Sequence, residues 1–166
     1  MRRIAAGGSL ALVLALGGIT LSADSRPALS GTAAGIELCA QSLCGFALFA
    51  GQFEGQVNSR PASGGFVAGI VHDDLPAVQQ IAGINGGQWT ITAGRRVFSG
   101  DVLGGTIFNV NGTQYCINMA LQIDDGGRGE IYFIGVLDHG PFPPTILGFV
   151  TQTPNPGPCP SLTANP

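Results

Sequence analysis

The chain has 166 residues, of which 45% are hydrophobic and only 10% are charged, and this composition excludes an intrinsically disordered protein. The length fits one domain that can bury a hydrophobic core. All seven basic residues are arginines, ten residues are acidic and the net charge is −3, so nucleic acid is excluded as an expected partner because it requires a concentrated basic patch.

Residues 1–25 are predicted to be an export signal. Two arginines near the start precede an apolar stretch at residues 10–16, and small residues at positions 23 and 25 suit a signal peptidase. We expect cleavage after Ser25, a secreted or periplasmic location, and no membrane association after cleavage. Retention as a membrane anchor is the alternative, because the uncharged run over residues 4–23 is just long enough to span a bilayer.

Three segments follow the signal in the predicted organisation. Residues 26–36 are polar and rich in alanine and glycine, which predicts a flexible lead. Hydrophobic residues with a period of two across residues 37–152 predict a β-domain. Residues 153–166 form a proline-rich tail, and we expect this tail to be tied down only through Cys159.

The four cysteines predict two disulfides in an exported chain. Linking the region of Cys39 and Cys44 to Cys116 and Cys159 closes the longer loops, and the chain-entropy argument favours that pairing. A local bridge between Cys39 and Cys44, combined with one between Cys116 and Cys159, is the alternative.

About seven strands are predicted, near residues 45–57, 65–72, 88–93, 95–110, 113–123, 130–137 and 146–152. In the strand at 113–123 the odd positions form an apolar row, so one face belongs to the core. Short reversals such as Asn111-Gly112 require mostly antiparallel pairing. At most one short helical turn is expected, within residues 75–83, where Pro76 suits a first turn.

The pattern Phe-x-Gly-x-aliphatic occurs at residues 53–57, 98–102 and 133–137. A glycine beside a phenylalanine on the same face lets a sheet coil tightly, because an aromatic ring can cover the bare backbone. Strong coiling favours closure of the sheet. We therefore predict an all-β fold built as a small antiparallel barrel, with a two-sheet β-sandwich as the alternative.

The sequence lacks the common enzyme and nucleotide-binding signatures, but both of its histidines stand beside aspartates. His72 precedes Asp73 and Asp74, and His139 follows Asp138. The candidate catalytic residues, for acid–base chemistry by a His–Asp pair, are His72, Asp73, His139 and Asp138. The candidate ligands of a divalent metal such as zinc are His72, Asp74 and His139.

Whether the two histidines can meet depends on the pair Gly104-Gly105. If this pair forms a bulge in one long strand, His72 and His139 emerge at the same end of the fold. If it forms a turn, an extra reversal sends them to opposite ends. The bulge is favoured because the two strands flanking Asn111-Gly112 then match in length. The competing interpretation of both His/Asp loops is ordinary turn chemistry, with each aspartate capping backbone N–H groups.

The expected function is that of an exported, non-enzymatic β-domain that binds a protein partner, a cell surface or an apolar small molecule. No cofactor is expected for such a domain. The alternative is a metal-dependent or His/Asp acid–base enzyme with a site in the loops at 72–74 and 138–139. The proline-rich loop at 139–145 is expected to pack Phe142 as a lid, whereas a protruding Phe142 indicates a contact site.

Overall fold

Eight strands close into an antiparallel barrel in the computed structural model, which describes residues 28–124, 129–154 and 159. Each strand pairs with the next in sequence, and β1 also pairs with β8. This confirms the predicted barrel. The strands are β1 (Leu29–Cys39), β2 (Ala47–Val57), β3 (Arg60–His72), β4 (Ile81–Ala93), β5 (Arg96–Asn109), β6 (Gln114–Ile123), β7 (Gly129–Asp138) and β8 (Thr145–Thr151).

Alternation of side chains builds the core, and strand β6 shows it most clearly. Its odd positions are all buried in the barrel interior, whereas the even positions between them are half-buried on the outside. The predicted apolar row is therefore confirmed. The buried residues of this row are Tyr115, Ile117, Met119, Leu121 and Ile123.

Phenylalanine rings cover bare glycine backbone inside the barrel. A Cβ added to Gly55 would lie 2.8 Å from the ring of Phe53, and one added to Gly135 would lie 2.6 Å from the ring of Phe133. Both rings are buried. The Phe53 ring also lies over Gly31 in the neighbouring strand. At residues 53–57 and 133–137 the Phe-Gly pattern thus has the role predicted for it, because a side chain on these glycines would displace a core ring. At Gly100 the atoms nearest to an added Cβ are backbone atoms of the neighbouring strand instead.

The expectation of a flexible lead is wrong for residues 29–36, which belong to β1. Leu29 and Ala33 face the core, and Gly35 pairs with Gly51 of β2 at very short range. Small side chains at these positions let the two strands approach closely, but they leave almost no hydrophobic periodicity to recognise. The predicted export signal at residues 1–25 lies outside the described residues.

The helical turn expected within residues 75–83 is also wrong. The segment is a loop followed by the start of β4 at Ile81. Side chains hold this loop, because Asn109 Nδ2 donates to the Pro76 carbonyl at 2.7 Å and Gln79 Nε2 donates to the Val110 carbonyl at 2.6 Å. The helix of the described chain is the single turn α1 (Gln41–Cys44).

The disulfides join Cys39 to Cys44 and Cys116 to Cys159. The pairing that closes the longer loops is therefore wrong, and the local alternative is the one formed. Cys116 lies on the outer face of β6, so its bridge holds Cys159 of the tail against the outside of the barrel. The rest of the tail beyond residue 154 lies outside the described residues.

A β-bulge in β5 determines which loops share an end of the barrel. The strand runs unbroken from Arg96 to Asn109, with a register shift between Val102 and Gly104, so the predicted bulge is confirmed. As a result the segments that join β1 to β2, β3 to β4, β5 to β6 and β7 to β8 all lie at one end, here called the mouth. Within the described residues, no helix is long and apolar enough to cross a membrane.

Candidate functional site

The mouth of the barrel contains a cavity of about 490 Å³. Its floor is apolar because the last inward-facing positions of the strands carry aliphatic and aromatic side chains, whereas Ala47 leaves space above them. Polar side chains from the surrounding loops line the upper wall. The main floor residues are Phe49, Ile70, Ile107, Ile117 and Leu137, and the main polar lining residues are Glu37, Gln41, His72, Asp74 and His139.

The space narrows sharply below this cavity. A void of only about 30 Å³ lies among the side chains in the middle of the barrel, beside Trp89 and Phe133. A void of this size is comparable with a single water molecule. Protein cavities that bind small molecules usually have volumes of about 300 to 1,000 Å³, so the mouth cavity is large enough for a ligand and the mid-barrel void is not.

Glu37 is the most buried acidic residue that lines this cavity. It occupies an inward position of β1, on the same row as Leu29 and Ala33, and its side chain is only 6% exposed. Its carboxylate atom Oε2 lies 3.2 Å from Nε2 of His139. In the described part of the chain this is the one contact within 4.0 Å between a histidine ring and a carboxylate.

His139 is fixed by the loop that follows β7. Its backbone N–H donates to the Thr113 carbonyl at 2.8 Å, and its ring packs against Tyr115 with the ring centroids 5.1 Å apart. Its Nε2 atom is buried, and neither Glu37 Oε2 nor any other described atom meets the geometry of a hydrogen bond to it. The distance to Glu37 is short but the direction is unfavourable. The pair is therefore close in space without forming a hydrogen bond.

His72 is held at the end of β3 through its backbone. The side-chain amide of Gln41 accepts from the His72 N–H at 2.8 Å and donates to the His72 carbonyl at 2.6 Å. Its ring atom Nδ1 contacts the backbone carbonyl of Asp73. His72 lines the same cavity as His139, so the prediction that both histidines lie at one end is confirmed.

The two aspartates next to the histidines cap loops. Asp73 accepts hydrogen bonds from Asn85 Nδ2 at 2.9 Å and from the Gly83 N–H at 3.0 Å, and these contacts, that of Asn85 above all, lower the pKa of Asp73. Asp138 accepts from the Gly140 N–H at 2.8 Å and from Gln114 Nε2 at 3.1 Å. Among the described residues, no aspartate carboxylate lies within 4.0 Å of a histidine ring nitrogen, so the candidate residues do not form a His–Asp pair.

No three or more histidine, cysteine or acidic side chains come together as a metal-binding group within residues 28–124, 129–154 and 159. His72, Asp74 and His139 all line the cavity, but they do not form such a group.

Charge is distributed unevenly between the two ends of the barrel. Four carboxylates lie at the mouth, whereas the arginines of the described chain lie at the opposite end, at the first residues of β3 and β5 and in the turn before β5. The mouth carboxylates are Glu37, Asp73, Asp74 and Asp138, and the arginines are Arg60, Arg95 and Arg96. The mouth is therefore acidic.

Two features of the mouth differ from the sequence-based expectations. Glu37 was not among the candidate residues, because recognising its inward position requires knowing that β1 is a strand. The expected lid is absent from the described loop after β7, since Phe142 is 98% exposed and protrudes into solvent. Leu43 of α1 is exposed as well, so apolar side chains extend outward from the mouth.

Comparisons with protein-family models, with curated proteins and with solved structures found no match.

Proposed function

We propose that this barrel binds a small molecule with an apolar body in the mouth cavity. The observation that carries the proposal is a cavity of about 490 Å³ with an apolar floor and a polar upper wall. Such a division suits an amphipathic ligand, because its apolar part loses contact with water on the floor while its polar part reaches the wall groups.

Both the apolar floor and the polar wall are needed for a favourable free energy of binding. Burial of about 200 Å² of apolar ligand surface contributes about 5 kcal/mol at about 25 cal/mol per Å². The loss of translational and rotational freedom on binding opposes this by a comparable amount, of order 4 to 15 kcal/mol. Apolar contact alone therefore gives weak binding, and the polar groups of the wall are needed for affinity.

The proposed site of action is outside the cytoplasm. Two disulfides fit an oxidising compartment such as the bacterial periplasm or the extracellular space. Together with the export signal expected at residues 1–25, they support a secreted or periplasmic binding protein.

Binding of the neutral fluorescent probe N-phenyl-1-naphthylamine tests the proposal. We expect saturable enhancement of its fluorescence by the disulfide-bonded protein. Ala47→Phe should abolish the enhancement, because residue 47 faces the cavity and a phenyl ring there would fill it. Ala50→Phe is the matched control, since residue 50 lies on the outer face of the same strand. Equal binding by both folded variants would contradict the proposal.

A second candidate function is acid–base catalysis, favoured by the 3.2 Å approach of His139 Nε2 to Glu37 Oε2 beside the cavity. A histidine next to a carboxylate can accept a proton from a bound substrate and return it elsewhere. Exchange of the α-protons of cyclohexanone in deuterium oxide, followed by NMR, tests this candidate. If this candidate is right, the protein exchanges the α-protons faster than buffer alone, and His139→Gln loses that excess rate. An exchange rate equal to that of buffer alone would contradict the candidate.

A further inference from the structure

We propose that the ligand of the mouth cavity is a small organic cation, an ammonium with an apolar substituent, whose N–H groups bind the carboxylate of Glu37. This inference rests on the proposed binding function and specifies the chemical class of the ligand.

The burial of the Glu37 carboxylate without a described hydrogen-bond donor is the first observation in favour of a cationic ligand. A buried carboxylate is unfavourable unless it accepts strong hydrogen bonds or faces a positive charge. Glu37 is nine-tenths buried and lines the cavity, and its close polar contact among the described residues is His139 Nε2 alone. That contact lacks hydrogen-bond geometry. The carboxylate therefore has acceptor capacity that no described donor uses, on the side where a ligand would sit.

His139 contributes a second unsatisfied atom at the same place. Its buried Nε2 has no hydrogen-bond partner in the described structure. In the neutral tautomer with the proton on Nδ1, this atom is an acceptor. Glu37 Oε2 and the buried His139 Nε2 are then two acceptors 3.2 Å apart at the wall of the cavity, with no described donor between them. An ammonium, which has three N–H donors and a positive charge, supplies what the Glu37 carboxylate lacks.

The negative charge of the mouth disfavours an anionic ligand. Four carboxylates lie at this end, and the arginines of the described chain lie at the other end. An anionic ligand would have to enter an acidic cavity without a cationic partner, which like-charge repulsion and desolvation both disfavour. A metal ion is a poorer fit than an ammonium, because the described residues hold no group of three suitable ligands.

Three matched probes test the inference by displacement of N-phenyl-1-naphthylamine. They are 2-phenylethylamine, 2-phenylethanol and 3-phenylpropionate, which share a phenyl ring and differ in charge. We expect the ammonium to bind about tenfold more tightly than the alcohol, and the carboxylate more weakly than both, because a charge-assisted hydrogen bond to a buried carboxylate is strong.

Glu37→Gln should remove most of the preference for the ammonium and leave the affinity for the alcohol nearly unchanged. Glu54→Gln is the matched control, because Glu54 is exposed on the outer face of β2, away from the mouth. In the unaltered protein, 2-phenylethylamine should shift the ¹³C resonance of the Glu37 carboxyl carbon and 2-phenylethanol should not. This second measurement decides the question even if Glu37→Gln does not fold.

The outcomes separate this inference from the proposed function. If the alcohol and the ammonium displace the probe equally well, the assignment of the ligand as a cation is wrong, and the proposed binding function stands. If the Glu37→Gln variant still binds the ammonium more tightly than the alcohol, the cation binds elsewhere and the proposed role of Glu37 is wrong. If neither the naphthyl probe nor any phenyl compound binds, both the inference and the proposed function are wrong.

Discussion

Glu37 Oε2 lies 3.2 Å from His139 Nε2 across the mouth, and this contact joins the end of β1 to the loop after β7. The backbone reinforces the same connection, because the Glu37 N–H donates to the Pro144 carbonyl at 2.9 Å. The loop that carries His139 is thus anchored to the strand that carries Glu37. The two side chains are held close to each other even though they do not form a well-directed hydrogen bond.

Replacing the buried carboxylate should stabilise the protein. Glu37→Leu keeps a similar shape and removes the desolvation penalty, so we expect the free energy of unfolding to rise by about 1 to 2 kcal/mol. Urea denaturation measures the change. The exposed residue Glu54 provides the control, since Glu54→Leu should stay within about 0.5 kcal/mol of the original protein. A clear loss of stability in Glu37→Leu would mean that the carboxylate contributes to folding and is not kept for a ligand.

Adding one methyl group under a core ring should be strongly destabilising. A Cβ at position 135 would lie 2.6 Å from the Phe133 ring and 2.7 Å from the Leu147 carbonyl oxygen. We expect Gly135→Ala to lower the free energy of unfolding by about 2 to 3 kcal/mol, because the ring and the neighbouring strand must both move.

Gly65→Ala is the matched control for that substitution. The nearest neighbour of its added methyl would be a backbone oxygen at 3.5 Å, which is an ordinary contact. This change should be neutral or stabilise the protein by about 0.4 to 1 kcal/mol, through a less flexible unfolded chain. Equal losses in the two variants, measured by thermal or urea unfolding, would contradict the ring-over-glycine packing.

The two disulfides should differ in their contributions to stability. The Cys116–Cys159 bridge spans 43 residues and the Cys39–Cys44 bridge spans 5. The chain-entropy model then predicts losses of about 4 kcal/mol for the double change of Cys116 and Cys159 to alanine and about 2 kcal/mol for that of Cys39 and Cys44. Denaturant unfolding of the two double variants measures both. A larger loss from the local bridge would show that it acts through native contacts at α1.

Asp73 should make stability depend on pH in the acidic range. Its hydrogen bonds lower its pKa in the folded protein. A lowered pKa means that the carboxylate contributes stability above the unfolded pKa of about 3.9, and that this contribution is lost as the pH falls through the lower folded pKa. We therefore expect Asp73→Asn to lower the melting temperature at pH 7 and to differ progressively less from the original protein below about pH 4.

Asn85 provides the matched test of that mechanism. Asn85→Ala removes the donor that contributes most to the lowered pKa of Asp73. It should lower the melting temperature at pH 7 in the original protein and have a smaller effect in the Asp73→Asn background, because the two residues share one interaction. Fully additive effects would show that the hydrogen bond does not couple them.

The sequence predicts the barrel well where side chains of contrasting size and polarity alternate. The Phe-Gly pattern at Phe53, Phe98 and Phe133 indicated tight coiling, and the Gly104-Gly105 bulge placed both histidines at one end. Both depend on local chemistry, since an aromatic ring beside glycine and a glycine pair within a strand have few alternative uses.

The sequence predicts less where distant contacts decide the structure. Strand β1 carries small residues whose role is to let β2 approach, and nothing in the strand itself reports its partner. The loop at 75–80 is held by the hydrogen bonds from Asn109 to the Pro76 carbonyl and from Gln79 to the Val110 carbonyl, so long-range contacts override a local helical pattern. Glu37 belongs to the same class, since its partner His139 is brought to it only by closure of the barrel.

Closure through the pairing of β1 with β8 has a consequence for how copies of this protein behave together. Every strand of the described chain is hydrogen-bonded to a neighbour on both of its sides, which leaves no row of free backbone N–H and C=O groups along a sheet margin. Such a margin is the template on which other chains add strands and grow into aggregates. A crowded solution of this protein should therefore resist fibril growth for as long as the ring of strands stays intact.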